Sequence, residues 1–493
     1  MLSRRGFLAG SAAVFACGRG PIGRRSVPHV THGVQAGIVD GRRAIVWARC
    51  DEPARMIVEW DTTDAFAKPR RHGGPVVAPE TDHAGTVELA DLPQGQTIAY
   101  RVRFEREAAR GESAWAAGRF VTPRADRLRV AWTGDTCGQG YGRNPEWGGL
   151  RGFAAVRAAE PDLFINSGDL IYADNPILKE QKTPDGKVWR NLTNERVARV
   201  AQSLDDFRAR FAYNFEDDHV RALAANVGAI VQWDDHETHN NWWPGQILED
   251  DRYTERDASK LAALARRAMF EWCPLATGPI HRVVPYGPLL DVFVIDCRTF
   301  RTPNDAGTGT AMLGAAQAQW LVDALAASQA RWKLIANDQP VGLLIGDGPR
   351  FEGWANGAGG PPVGREIELA TILKAAKQRG VKNMAWITAD VHYAAAHHFD
   401  PARAKLDFDF DPFFEFIAGP IHAGTFGPEP LDTTFGAEVK FQWVPPPGTG
   451  NLPPWDGVQS FGTIDVSPDV LAIALWGIDG KQRYRVELPF TGA

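Results

Sequence analysis

The chain has 493 residues, 44% of them hydrophobic and 23% charged, which suits a globular protein of at least two domains and excludes a fibrous or disordered one. Its formal charge is only −6 and no long basic run occurs, which argues against a nucleic-acid-binding surface. An anionic substrate would therefore need positive charge supplied locally, and a metal ion is one source.

Residues 1–26 read as an export segment and spacer. Ser3-Arg4-Arg5-Gly6-Phe7-Leu8 leads into a short apolar stretch ending near Ala16, the pattern of a twin-arginine signal. The expected location is periplasmic or secreted. Cleavage before Cys17 leaves two readings open, a lipid-anchored cysteine or an ordinary small-residue site. No later apolar run is long enough to span a membrane. The remaining cysteines, Cys50, Cys137, Cys273 and Cys297, are too few for a disulfide scaffold, and a Cys273–Cys297 pair is a candidate that spacing alone leaves open.

From 27 to 122, runs such as "RRAIVWARC", "RMIVEW" and "IAYRVRFE" alternate apolar and polar residues between Gly, Pro and Asp turns. That period predicts a β-sandwich of immunoglobulin type. "TPRADR" reads as a linker. Over 128–493 strands alternate with helical stretches such as "GLRGFAAVRAAE" and "REIELATILKAAKQ", which predicts one large α/β domain. The Gly- and Pro-rich stretch from "FEFIAGPIHAGTFG" to "WVPPPGTGNLPPWDG" is expected to be loop, and is a candidate cover for a site mouth.

Within the α/β domain six apolar runs end in aspartate, at Asp135, Asp169, Asp234 with Asp235, Asp296, Asp338 and Asp390. Functional groups collect beyond the carboxyl ends of strands in α/β sheets. A single such aspartate is commonly a helix cap, but six would repel one another unless cations are present. The neighbours narrow the choice of ion. Asp135 and Cys137 in "GDTC", Asp169 and Tyr172 in "GDLIYAD", and Asp390 and His392 in "ADVH" combine carboxylate, thiol, phenol and imidazole, which suits iron. Oxygen donors at Asp235, Asn240, Asn241 and Asp338 would suit calcium or magnesium. No paired-cysteine or His-Glu-x-x-His pattern favours zinc.

The order of "GD", "GD", "WDDHETHNN" and "ADVH" is similar to that of calcineurin-like metallophosphoesterases. Together with the "GDTC" thiol, the "GDLIYAD" tyrosine, "DCRTFR" and "LGAAQAQWL", it resembles the alkaline phosphatase D family over nearly the whole chain. The resemblance implies an α/β metallophosphoesterase-like sandwich, two β-sheets flanked by helices, behind an N-terminal immunoglobulin-like β-sandwich. It implies Asp135, Cys137, Asp169, Tyr172 and His392 as ligands of Fe3+, with Asp169 bridging to a Ca2+ held by Asp235 and Asp390. Zn2+ or Mn2+ is less favoured. Asp338 falls where relatives place another ligand, with Asn337 competing. His236 would contact the phosphate and protonate the leaving oxygen. Arg298, and Arg301 beside it, would neutralise a phosphoryl oxygen or else pair with Asp296. Glu237, Asn240 and Asn241 are additional candidates around these groups.

The activity implied is that of an exported, monomeric phosphoric-ester hydrolase, an alkaline phosphatase or phosphodiesterase using a metal-activated water on small or polymeric phosphate esters. Two rivals stay in view: a phosphodiesterase acting mainly on lipid or cell-wall polymer diesters, and a catalytically inactive cell-surface binding protein.

Overall fold

The computed structural model describes residues 27–106, 111–304, 310–357, 360–404 and 406–492. The expected export segment, Cys17 included, lies outside them. Two large sheets face each other and carry helices on their outer sides. One has nine strands, in the order Gln482–Pro489, Val470–Gly477, Ser460–Val466, Leu128–Thr133, Leu163–Ser167, Gly228–Gln232, Val30–Asp40, Arg43–Cys50 and Ala84–Leu89. The other has seven, in the order Arg282–Tyr286, Leu290–Val294, Trp332–Ala336, Met384–Thr388, Phe413–Ile417, Ala394–Phe399 and Ala437–Trp443.

The inward residues of both sheets are β-branched or aliphatic and share one dry core, with Val130, Ile165 and Ile230 on one side and Val292, Leu334 and Ile387 on the other. Trp132 ties the layers directly, because its indole N–H donates to the Thr388 carbonyl at 3.2 Å. On the outer faces the helices form where the sequence gives amphipathic periods with polar caps. Ser203 and Asp206 make a reciprocal capping box at the start of Leu204–Phe215, and Asp257 caps Ala258–Trp272. These helices cover the nine-stranded sheet, whereas Gly314–Ala327 and Glu366–Gln378 cover the other.

The N-terminal region is all-β, as the alternation predicts. Val30–Asp40, Arg43–Cys50 and Ala84–Leu89 extend the nine-stranded sheet, and a four-stranded sheet (Arg70–Val77, Ala54–Asp61, Thr97–Glu105, Ala116–Val121) packs on them. The junction is a parallel contact of Gly37 with Ala229. It is tight: a β-carbon on Gly37 would sit 1.9 Å from the Pro274 carbonyl oxygen. Gln35 reinforces the junction by donating to the Trp272 carbonyl at 2.9 Å.

Two expectations are corrected. Cys273 and Cys297 are free and lie in different clusters, on opposite faces of the sandwich. The C-terminal stretch is not loop throughout: Ala437–Trp443 within it is a strand of the seven-stranded sheet, and the residues from Ser460 on are three strands of the nine-stranded sheet. Among the described residues no helix is long and apolar enough to cross a membrane.

Gly37→Ala should destabilise the protein by about 1–3 kcal/mol, the usual range for overpacking a close contact, with the loss falling on both the N-terminal strands and the rest of the nine-stranded sheet. Urea unfolding followed separately by tryptophan fluorescence and by hydrogen exchange of 228–232 checks this. A midpoint unchanged from wild type would show that the junction can part without cost.

Candidate metal centre

Six parallel strands, three in each sheet, release their chains at one edge of the sandwich, and each of the six releases carries one of the aspartates noted above. The backbone there is unusual. Asp135, Asp169, Asp390 and His392 hold φ values of 60°, 49°, 70° and 63°, a left-handed region that non-glycine residues occupy at a cost. The turns aim the side chains inward. Three overlapping groups result, in each of which the candidate ligand atoms lie within 4.8 Å of one another: Asp135, Asp169 and His392; Asp169, Asp235 and His236; and Asp234, Asp235 and Asp390. Asp169 belongs to the first two and Asp235 to the last two, so the groups form one chain.

These carboxylates lack the partners that buried oxygens need. Both oxygens of Asp135, and one each of Asp234, Asp235 and Asp390, are buried without a hydrogen-bond donor. Two carboxylates at such a separation repel by about 3 kcal/mol at an effective dielectric of about 20, more than a typical hydrogen bond of about 1 kcal/mol recovers. Burial raises Asp135 to about 8, with the charges of Asp235 and Glu237 adding to it. Burial pushes Asp169 and Asp390 well above the ordinary carboxylate range, helped at Asp169 by the charges of Asp235 and Asp234 and at Asp390 by those of Asp234 and Glu352. Ionising all of them together requires cations, so the residues fit bound metal.

The other donors agree. His392 Nδ1 donates to the Gly424 carbonyl, which leaves Nε2 as the lone-pair nitrogen, 2.8 Å from the Tyr172 hydroxyl and 3.7 Å from Asp135 Oδ1. Burial lowers His392 to about 4, so the imidazole is neutral. The Gly419–Phe426 loop forms the wall here. Ala423 N–H donates to the Asp135 carbonyl at 3.1 Å, and a β-carbon on Gly419 would lie 2.3 Å from Asp135 Oδ2.

In the middle group, His236 stacks on the Tyr172 ring with centroids 4.2 Å apart. Its Nδ1 is 2.7 Å from Asp174 Oδ1, and both residues are buried. Burial disfavours each charged form, yet the Asp174 and Asp235 charges raise His236 to about 10, and the imidazolium brings Asp174 down to about 2. Asp174 carries out a function the sequence did not single out, although it stands within "GDLIYAD", five residues after Asp169. Glu237 braces the site from behind: its carboxylate accepts the N–H groups of Asp169 (3.2 Å), Leu170 (2.5 Å) and Asp234 (2.7 Å), joining two of the strand exits. Asn240 and Asn241 contribute backbone, their N–H groups donating to Asp174 (3.1 Å) and Asp235 (2.6 Å).

Four expected site residues stand elsewhere. Cys137 leaves the "GDTC" turn toward an apolar cluster. It is buried with Leu150, Phe153 and Tyr213, and it joins none of the three groups. Two residues apart on a turn do not share a direction. Asp338 accepts the Cys297 N–H with both oxygens, at 3.3 and 3.0 Å, and Asn337 faces the Cys297 thiol at 3.2 Å. Neither reaches the groups. Arg301 turns to Gln339, Asn304 and Glu352.

Arg298 has 0% exposure and does not open to a substrate. Its Nε pairs with Asp234 at 2.6 Å and its Nη1 with Glu352 at 2.8 Å. Asp296 is the ion partner of neither arginine; it accepts the N–H of Arg298 at 3.1 Å and the indole N–H of Trp233 at 3.0 Å. Glu352, which had no sequence signal, organises this network.

The family model for "PhoD-like phosphatase" matches residues 130–465, and that for "PhoD-like phosphatase, N-terminal domain" matches residues 18–124. The chain belongs to the PhoD-like phosphatase family. Alkaline phosphatase D of Bacillus subtilis (strain 168) is 26% identical over 400 residues, 75% of this chain and 62% of that protein, so the chain spans less than two thirds of this relative's length. A structure of PhoD superposes with a TM-score of 0.70 at 19% identity, covering 93% of this chain and 88% of its own. A purple acid phosphatase from yellow lupin (Lupinus luteus) seeds gives 0.60 at 12% identity, covering 94% and 74%. Both show the metallophosphoesterase-like sandwich.

In this PhoD-like chain Asp135→Asn should remove most of the co-purifying metal, whereas Cys137→Ser should leave the metal content near that of wild type. Elemental analysis of the two proteins decides it. Loss of metal in the cysteine variant alone would restore the thiol as a ligand.

Proposed function

We propose that the protein is an exported metal-dependent phosphoric-ester hydrolase. The observation that carries the reading is the series of buried carboxylates with open oxygens, flanked by an Asp174–His236 pair, in a chain of the PhoD-like family. Asp135, Asp169, Tyr172 and His392 would hold the first ion and Asp169, Asp235 and Asp390 the second. The tyrosine and neutral histidine favour Fe3+ at the first position, and the all-carboxylate set favours Ca2+ at the second. When bound, the ions supply Lewis acidity and lower the cost of delivering a nucleophilic water at neutral pH.

The remaining chemistry belongs to the side chains. Asp174 fixes the His236 ring through Nδ1 and keeps it charged, so Nε2 carries a proton toward the substrate. There it can be given to the leaving oxygen as the ester bond breaks. Tyr172, stacked on the same ring, keeps the imidazole from rotating. The twin-arginine segment supports export, and the all-β N-terminal region supports an immunoglobulin-like module that holds the sheet edge.

A diester preference is the second reading. His236 opens on a cleft of about 680 Å³ that also meets Asn175, Gln246, Asp250 and Asp347. That is room for a leaving group far larger than a phosphoryl oxygen, on walls whose carboxylates disfavour added anionic charge.

Turnover of a nitrophenyl phosphate monoester against the matched bis-nitrophenyl diester, by the metal-replete protein, tests both readings. Hydrolysis of neither would leave an inactive binding protein. Asp174→Asn should lower kcat by about 10²-fold, the usual contribution of a positioned proton donor, with a much smaller change in KM. A variant with wild-type kcat would free His236 from that role.

A further inference from the structure

Arg298 sits where a counter-charge to the second ion would be placed. Its Nη2 is buried, has no hydrogen-bond partner, and lies 3.7 Å from Asp235 Oδ1 and 3.9 Å from Asp390 Oδ1, the two carboxylates assigned to that ion. Those distances are too long for hydrogen bonds and short for a strong Coulombic pull. The guanidinium cannot swing away. Asp234 holds Nε, Glu352 holds Nη1, and Asp296 fixes the backbone N–H at the strand end. Glu352 is itself tied to Arg301 at 3.4 Å and receives the Gln339 amide at 2.7 Å, so the anchor is a network.

We propose that Arg298 is a built-in cation of the second metal seat, a positioning residue that holds the seat's affinity for a divalent ion low enough for exchange. The inference rests on the two-ion reading of the site. A fixed positive charge a few ångströms from the seat repels a dication more than a monocation, while it offsets part of the repulsion between the carboxylates. The ion of this second seat should therefore exchange with the solution. The surrounding calcium concentration would then set how much of the enzyme is complete.

The test is calorimetric titration of CaCl2, and separately MgCl2, into the protein as purified, with elemental analysis before and after. Arg298→Gln should bind Ca2+ about tenfold more tightly or better, and Arg298→Lys should stay near the wild-type Kd. Should the single change unfold the protein, Arg298→Gln with Glu352→Gln keeps the net charge of the network and should still tighten binding, so a Kd at or above wild type in that variant overturns the inference. An unchanged or weaker Kd in a folded Arg298→Gln protein also overturns it while leaving the two-ion reading intact. No calcium or magnesium uptake by any of the proteins, wild type included, removes the second seat and the inference with it.

Discussion

Mutual repulsion among buried carboxylates governs this molecule. The six parallel strands bring their aspartates to one edge, and the fold must then keep those charges apart or supply opposite ones. It does both with protein groups as far as geometry allows. Arg298 serves Asp234, the charged His236 serves Asp174, and Glu237 is occupied by three backbone N–H groups. What remains open is both oxygens of Asp135 and one each of Asp234, Asp235 and Asp390, and those oxygens mark where ions would be needed. The division between satisfied and open oxygens is spatial as well as chemical.

The sandwich makes that division rigid. Three of the exits come from each sheet, so the spacing of the two sheets sets the distance between Asp135 or Asp169 on one side and Asp390 on the other. Dry packing such as Trp132 against the Thr388 carbonyl fixes that spacing from beneath. The N-terminal strands matter for the same reason. By continuing the nine-stranded sheet past Gly228–Gln232, they cover what would otherwise be an open edge beside the strand that delivers Asp234, Asp235 and His236. On the opposite flank Ser460–Val466 pairs with Leu128–Thr133, which delivers Asp135. A region that reads as an appendage at either end of the sequence is thus a support for one exit.

Much of this was legible in the sequence because it is periodic or local. Apolar runs that end in aspartate identify strand and exit together, and the six runs all proved to be parallel strands at one edge. What was hidden depends on direction rather than on residue type. Asp135 and Cys137 look equivalent in "GDTC", but the left-handed turn at Asp135 sends the carboxylate into the site and the thiol into an apolar cluster. Asp338 ends its run like the others, yet its oxygens meet the Cys297 N–H across the strand pair before they can reach the centre. Glu352 lies in a loop with no period at all, and only the buried guanidinium it satisfies shows why it is there. Asp174 was in view, two residues past Tyr172, but its role exists only once His236 arrives from 62 residues away.

Folding and ion binding are linked through the same residues. Four of the site residues hold left-handed backbone, each at a cost of about 1–3 kcal/mol, and the unpaired carboxylates add their repulsion. Against a net stability of about 5–15 kcal/mol for a typical domain, these costs are not small, and the core of the two sheets has to carry them when the site is empty. Ions that bind only the folded chain reverse the sign of the carboxylate contribution and stabilise it by mass action. The left-handed turns are then held from both directions, by the strands behind them and by the charge in front. A seat already furnished with its own cation, as Arg298 furnishes the second, contributes less to that stabilisation when filled and costs less when vacant.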